Sequence, residues 1–110
     1  MTQIRGPWNI NGNGYEDLLW IEGVDPQGNL LPSSTVYGNP IVGFWDDTAG
    51  RLTFIRVIDA GDPASNQVYT GYVMPSQDDG SLALAGSFEA FAGTGAVATR
   101  TVYGWYALPK

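Results

Sequence analysis

The chain has no cysteine and no histidine among its 110 residues. The first absence excludes disulfides, zinc–thiolate centres and thiol catalysis. The second removes the usual general base at neutral pH and the commonest metal ligand. Catalysis would have to rest on carboxylates, hydroxyls or the few basic residues. Those are scarce too: five basic residues stand against eleven acidic ones, a formal net charge of -6. Nucleic acid binding needs a basic footprint, so no nucleic-acid partner is expected. No apolar run approaches the roughly 18 residues of a helical membrane span. The opening Met-Thr-Gln-Ile-Arg-Gly lacks the apolar core of a signal peptide. A cytoplasmic chain with no membrane partner is the expectation, and the same reading admits a mature secreted chain.

What is present is turn chemistry and strand chemistry in alternation. The 15 glycines and 7 prolines are spread along the chain rather than pooled in a linker, which fits one domain over residues 1–110. A chain of this length buries roughly two-thirds of its unfolded surface and needs no covalent staples. The stretch Pro40 to Ile58 sets the pattern. Two runs rich in β-branched and aromatic residues flank Asp46-Asp47-Thr48-Ala49-Gly50, a hairpin loop ending on a glycine able to take positive φ.

The same unit recurs on both sides. Strand one is read over Arg5 to Asn11, containing Gly6-Pro7-Trp8, and is followed by the turn Asn11-Gly12-Asn13-Gly14. Strand two is Tyr15 to Glu22; Asp25-Pro26-Gln27-Gly28 then carries the type I turn pattern. Strand three is read over Leu30 to Tyr37, irregular around Pro32-Ser33-Ser34. Strands four and five form the hairpin within Pro40 to Ile58. Asp59 to Ser65 is the longest loop, strand six is Gln67 to Met74, and Gln77-Asp78-Asp79-Gly80 turns the chain into strand seven, Ser81 to about Phe91. Gly93-Thr94-Gly95 leads into strand eight, Val97 to Leu108. Leu82-Ala83-Leu84-Ala85 has helical propensity, but Gly80, Gly86, Phe88 and Phe91 around it favour a strand.

Eight strands joined by short turns predict an all-β fold, an eight-stranded antiparallel up-and-down barrel, because closure removes the exposed edges of a long meander. A β-sandwich is the alternative. In strand eight, Val97, Thr99, Thr101, Tyr103, Trp105 and Ala107 share one face, and Ala98, Arg100, Val102, Gly104 and Tyr106 share the other. Neither face is mainly charged, and the same holds in strand five, where Leu52 and Phe54 oppose Ile55 and Val57. Strands apolar on both faces need a core on one side and a partner on the other, so a homo-oligomer is expected.

The Gly-x-Trp that opens strand one, the Gly43-Phe44 and Gly71-Tyr72 strand middles, and the closing stretch Gly93 to Gly104 resemble the avidin and streptavidin family. The resemblance implies an avidin-like meander with a ligand pocket in the barrel. That family holds the ureido oxygen of biotin with polar groups of its first strands. Asn9 or Asn11 stands where its first-strand asparagine would be. Its last-strand aspartate falls near Tyr106 here, and the tryptophan it lends to a neighbouring subunit falls near Ala98. The resemblance therefore implies the barrel without tight biotin binding.

Trp8, Trp20, Trp45 and Trp105, with Tyr69, Tyr72, Tyr103 and Tyr106, could line a barrel mouth for a small apolar ligand or a sugar ring, or pack as core and interface. Asp46-Asp47, Asp78-Asp79 and Glu16-Asp17 are acidic pairs of the kind glycoside hydrolysis uses. Strand neighbours point to opposite faces, however, and turn chemistry accounts for the first two pairs. Asp59 and Asp62 could offer oxygens to Ca²⁺ but lack the dense spacing of a calcium loop. Glu89 and Arg100 fall nearly opposite one another, as a cross-strand ion pair would. Arg56 is a third charge within an apolar strand, placed to stack on an aromatic ring or to anchor a polar ligand group.

The reading is a non-enzymatic small-ligand barrel needing no cofactor, with Trp8, Asn11, Trp45, Arg56 and Trp105 as the ligand-binding residues. The alternative is a structural module that assembles through its apolar outer faces. An enzyme using paired carboxylates ranks behind both, because no spacing brings two acids into one cleft.

Overall fold

The computed structural model describes residues 4–75, 78–92 and 99–110. Eight strands run in meander order: β1 (Gly6–Gly12), β2 (Tyr15–Ile21), β3 (Thr35–Val36), β4 (Asn39–Asp46), β5 (Arg51–Arg56), β6 (Gln67–Pro75), β7 (Leu82–Ala92) and β8 (Thr99–Pro109). Each pairs antiparallel with the next, and β1 pairs with β8 from Trp8↔Pro109 to Gly12↔Trp105, which closes the barrel. The expected barrel therefore holds, and the sandwich does not.

The turns follow from their residues. Asn13 (φ 52) and Gly14 (φ 90) form the two-residue connection of β1 and β2, with positive φ at both central positions. Asp25-Pro26-Gln27-Gly28 closes by Gly28 N–H donating to Asp25 C=O at 3.0 Å, and the Asp25 carboxylate accepts the Gln27 and Asn29 N–H groups. These bonds to the charged form hold its pKa below the ordinary carboxylate value, the Asn29 amide most of all. Gly50 ends the β4–β5 turn at φ 65. The Asp59–Ser65 stretch contains a short 3₁₀ turn, Pro63–Ser65, with proline at its start.

Strand three is where the structure departs from the sequence reading. Of Leu30 to Tyr37, Thr35–Val36 alone is paired as β3. Pro32 carries no N–H, Ser33 sits at φ 79, and the Ser34 hydroxyl is taken up locally. It donates to Leu31 C=O at 2.9 Å and accepts from Glu22 N–H at 3.0 Å. Such side-chain bonds offer the backbone an alternative to the ladder. Lower in the barrel the same segment reaches across to β4 directly, through Leu30 N–H to Gly43 C=O and Trp45 N–H to Gly28 C=O.

Closure also settles which face of each strand is inside. Alternate residues are buried: Trp8 and Ile10, Leu19 and Ile21, Leu52 and Phe54, Leu84, Phe88 and Ala90, Trp105 and Ala107. Each large apolar side chain so buried is worth about 1.5–3 kcal/mol. Val42, Phe44, Ile55, Tyr72, Val102, Tyr106 and Leu108 face outward. One end of the barrel, the base, is filled by Ile4, Trp8, Ile21 and Trp45, with Val24 and Leu30 packed against them. The other end, the mouth, carries the Asn13-Gly14 and Tyr37-Gly38 turns and the loop after β5.

Candidate functional site

The mouth is built from inward positions at the ends of several strands. Gly12 ends β1, Asn39 begins β4, Arg56 ends β5 and Gln67 begins β6, so the meander brings one residue from each to a common rim. Tyr37 joins them from the β3–β4 turn. Tyr37 (φ 51) and Gly38 (φ 77) form a two-residue turn between Val36 and Asn39. An aromatic residue at positive φ is a strained choice, where Asn or Gly is usual. The phenol explains how it is held: its O–H donates to Tyr15 C=O at 2.6 Å and accepts from Gly12 N–H at 2.9 Å. Residue 12 must be small, because a Cβ there would lie 2.8 Å from the Tyr37 hydroxyl oxygen.

Above Tyr37 lies Arg56, its guanidinium carbon 4.8 Å from the ring centroid. Its Nε–H donates to Asn39 Oδ1 at 2.8 Å and its Nη1 to Gln67 Oε1 at 3.1 Å. The same Gln67 oxygen accepts from Tyr69 O–H at 2.8 Å. Tyr69 is stacked between Phe54 and Phe88, with ring centroids 4.7 Å away on each side, and Phe88 leans on Tyr103 at 5.4 Å. Burial pushes the Tyr69 phenol up to about 12, against the opposing pull of the Arg56 charge. Burial also raises Tyr37, partly offset by the Gly12 N–H bond and by Arg56. Both phenols are thus neutral donors at physiological pH.

Between these groups the barrel is not filled. A cavity of about 370 Å³ opens at the mouth, walled by Tyr37, Arg56, Gln67, Tyr69, Phe88 and Tyr103. That is within the range of roughly 300–1,000 Å³ of small-molecule sites. Among the described residues, the ion pair present is Arg51–Asp46 at 3.5 Å, an exposed pair at the base-end turn. Arg56 makes hydrogen bonds to neutral amides and has no carboxylate partner there. A larger groove of about 560 Å³ runs along the outside of β1, over Asn9 and Asn11 and between Leu18 and Tyr106. It is a feature of the outer surface, formed where small asparagines lie between bulkier neighbours.

Of the five residues expected to bind a ligand, Arg56 alone stands at the mouth. Trp8 and Trp45 pack in the base, where their N–H groups donate to Ile4 C=O at 2.9 Å and Asp47 Oδ1 at 3.1 Å. Trp105 lies in mid-barrel, and its N–H is shared between Thr70 C=O at 3.3 Å and Ser87 C=O at 3.1 Å. Asn11 faces outward and caps its own turn by accepting the Gly14 N–H at 2.9 Å. Asn9 and Tyr106 also face outward, so the positions compared with biotin-contacting groups do not meet inside the barrel. Ala98 lies outside the described residues.

Arg56 stacks on an aromatic ring as its position suggested. The expected Glu89–Arg100 pair is not formed. Glu89 lies opposite Val102, and Arg100 lies opposite Phe91, over whose ring it sits at 5.0 Å while donating to Asn66 C=O. A turn-centre estimate from the glycines misplaces the register by two residues, enough to separate the charges. Among the acidic pairs, Asp46 accepts the Ala49 N–H and Asp79 the Ser81 N–H, the turn roles expected of them. Asp59 likewise accepts the Gly61 N–H, and among the described residues no cluster of three or more potential ligands could hold a metal.

Tyr37, Gln67 and Phe88 are the mouth residues that sequence reasoning passed over. A tyrosine followed by glycine between two strand runs was the one local signal. Neither a scan against protein-family models nor searches of curated proteins and of solved structures finds a match to this chain.

Proposed function

We propose that this chain is a non-enzymatic binding barrel that takes a small molecule in its mouth. The observation that carries the reading is a cavity of about 370 Å³ at one end of a barrel whose other end is filled by Ile4, Trp8, Ile21 and Trp45. Its walls combine flat aromatic surface with a few convergent polar groups, the composition of a ligand site. The strained Tyr37 supports the same reading, since unfavourable backbone conformations persist where the surroundings hold them for a purpose. Native mass spectrometry of the purified chain, followed by amide-resolved NMR titration with a panel of planar small molecules, tests it. One-to-one adducts with shifts at Gly12, Gln67 and Ala90 are expected, and added biotin should leave no retained adduct. Shifts confined to the base or to the outer groove would overturn the assignment.

A second reading has its own observation. Val42, Ile55, Val68, Glu89 and Val102 lie side by side around the outside of β4 to β8, and Val42 and Val102 are 67% and 64% exposed. Four β-branched residues on this row, interrupted by the exposed Glu89, suit contact with a second copy of the chain. This assembly reading is compatible with an occupied mouth.

A further inference from the structure

We infer that the mouth is selective for a singly charged, flat-ring carboxylate, with the carboxylate on Arg56 and the ring against Tyr103; this rests on the mouth being a binding site. A guanidinium has five N–H donors in a planar fork. Asn39 occupies the Nε donor and Gln67 one Nη1 donor. The Tyr69 hydroxyl also lies within hydrogen-bond reach of the guanidinium, and the donors left over are those a ligand carboxylate would take. The two amide oxygens and the Tyr37 ring beneath hold the guanidinium in place, so little ordering is left for the ligand to impose.

The charge count favours an anion with one negative charge. The chain carries a net charge of -6, and a dianion on one cation would leave a further uncompensated negative charge within it. The walls favour a ring. Phe54, Tyr69 and Phe88 form a stack with interplanar angles of 11° and 12°, and the half-buried Tyr103 leans on its end and lines the opening. A flat body can lie against Tyr103 at the end of that stack, whereas an alkyl chain would meet the aromatic walls with less contact.

Two probes that differ at one group test this on the intact chain: 2-naphthoate and its neutral isostere 2-naphthamide, titrated by calorimetry. The naphthoate should bind at least about tenfold more tightly, the scale of one charge-assisted pair. In Arg56→Gln the advantage of the naphthoate over the amide should vanish. Equal binding of the two probes by the wild-type chain, with NMR shifts at the mouth, would overturn the carboxylate assignment and leave the mouth as a site. That comparison needs no variant, so it stands whether or not Arg56→Gln folds. No binding of either probe would overturn the assignment and count against the mouth, as would naphthoate shifts mapped to any other face.

Discussion

A methyl group at residue 71 has no room. Gly71, Gly86 and Trp105 stand opposite one another across β6, β7 and β8, and the indole folds back over the two glycines. A Cβ at Gly71 would clash with the Cζ2 edge of the Trp105 ring, and one at Gly86 would meet the backbone of Thr70. The indole N–H meanwhile supplies the carbonyls of Thr70 and Ser87 on either side of that pair. Gly71→Ala is therefore expected to destabilise the fold by about 1–3 kcal/mol through overpacking. Urea unfolding would measure the loss, and a changed tryptophan near-ultraviolet dichroism would trace it to Trp105. A Gly-aromatic pair at Gly71-Tyr72 was visible in the sequence. Its partner Trp105 was not, because two residues 34 positions apart are brought together only by two strand registers.

At the scale of the element, the segment between β2 and β4 shows how little regular pairing is enough when side chains take over backbone bonds. Ser34 is 1% exposed, and its hydroxyl ties Leu31 C=O to Glu22 N–H. Ser34→Ala would leave the Glu22 N–H without its hydroxyl partner, while Leu31 C=O keeps the Ser34 N–H, a cost of about 1–3 kcal/mol. Hydrogen exchange should quicken at the Glu22 amide and through residues 23–33, while the β6–β7 ladder keeps its protection. Uniform loss of protection would instead mean that the segment unfolds with the whole barrel. The sequence showed irregularity at Pro32-Ser33-Ser34 without showing that it shortens the strand to two residues. The β1–β2, β4–β5 and Asp25–Gly28 turns were legible because their residue types act locally. The Glu89–Arg100 pairing was not, since register depends on turn geometry and on both faces of the sheet.

For the whole molecule, the outer belt makes a prediction about assembly. Light scattering behind size-exclusion chromatography should find a dimer or larger species at tens of micromolar, and Val42→Lys with Val102→Lys should yield a monomer. Single exposed apolar residues are ordinary on a protein surface, so a wild-type monomer would remove the assembly reading and leave the mouth untouched.

Alternating strand residues and turn-forming glycines, prolines and aspartates determined the eight-stranded meander, since both act within a few residues of chain. The lack of cysteine and histidine likewise determined which chemistries were unreachable. Closure decided the rest. Several strands are apolar on both faces, so only the wrap of the sheet could choose Leu52, Phe54 and Arg56 for the inside and Ile55 for the outside. The tryptophans drew attention as binding groups, yet their large apolar surface sent them to fill the base and middle. What remained open was the end where Gly12, Tyr37, Arg56, Gln67 and Tyr69 meet, residues far apart in sequence that share a rim because each lies at the same end of its strand or turn.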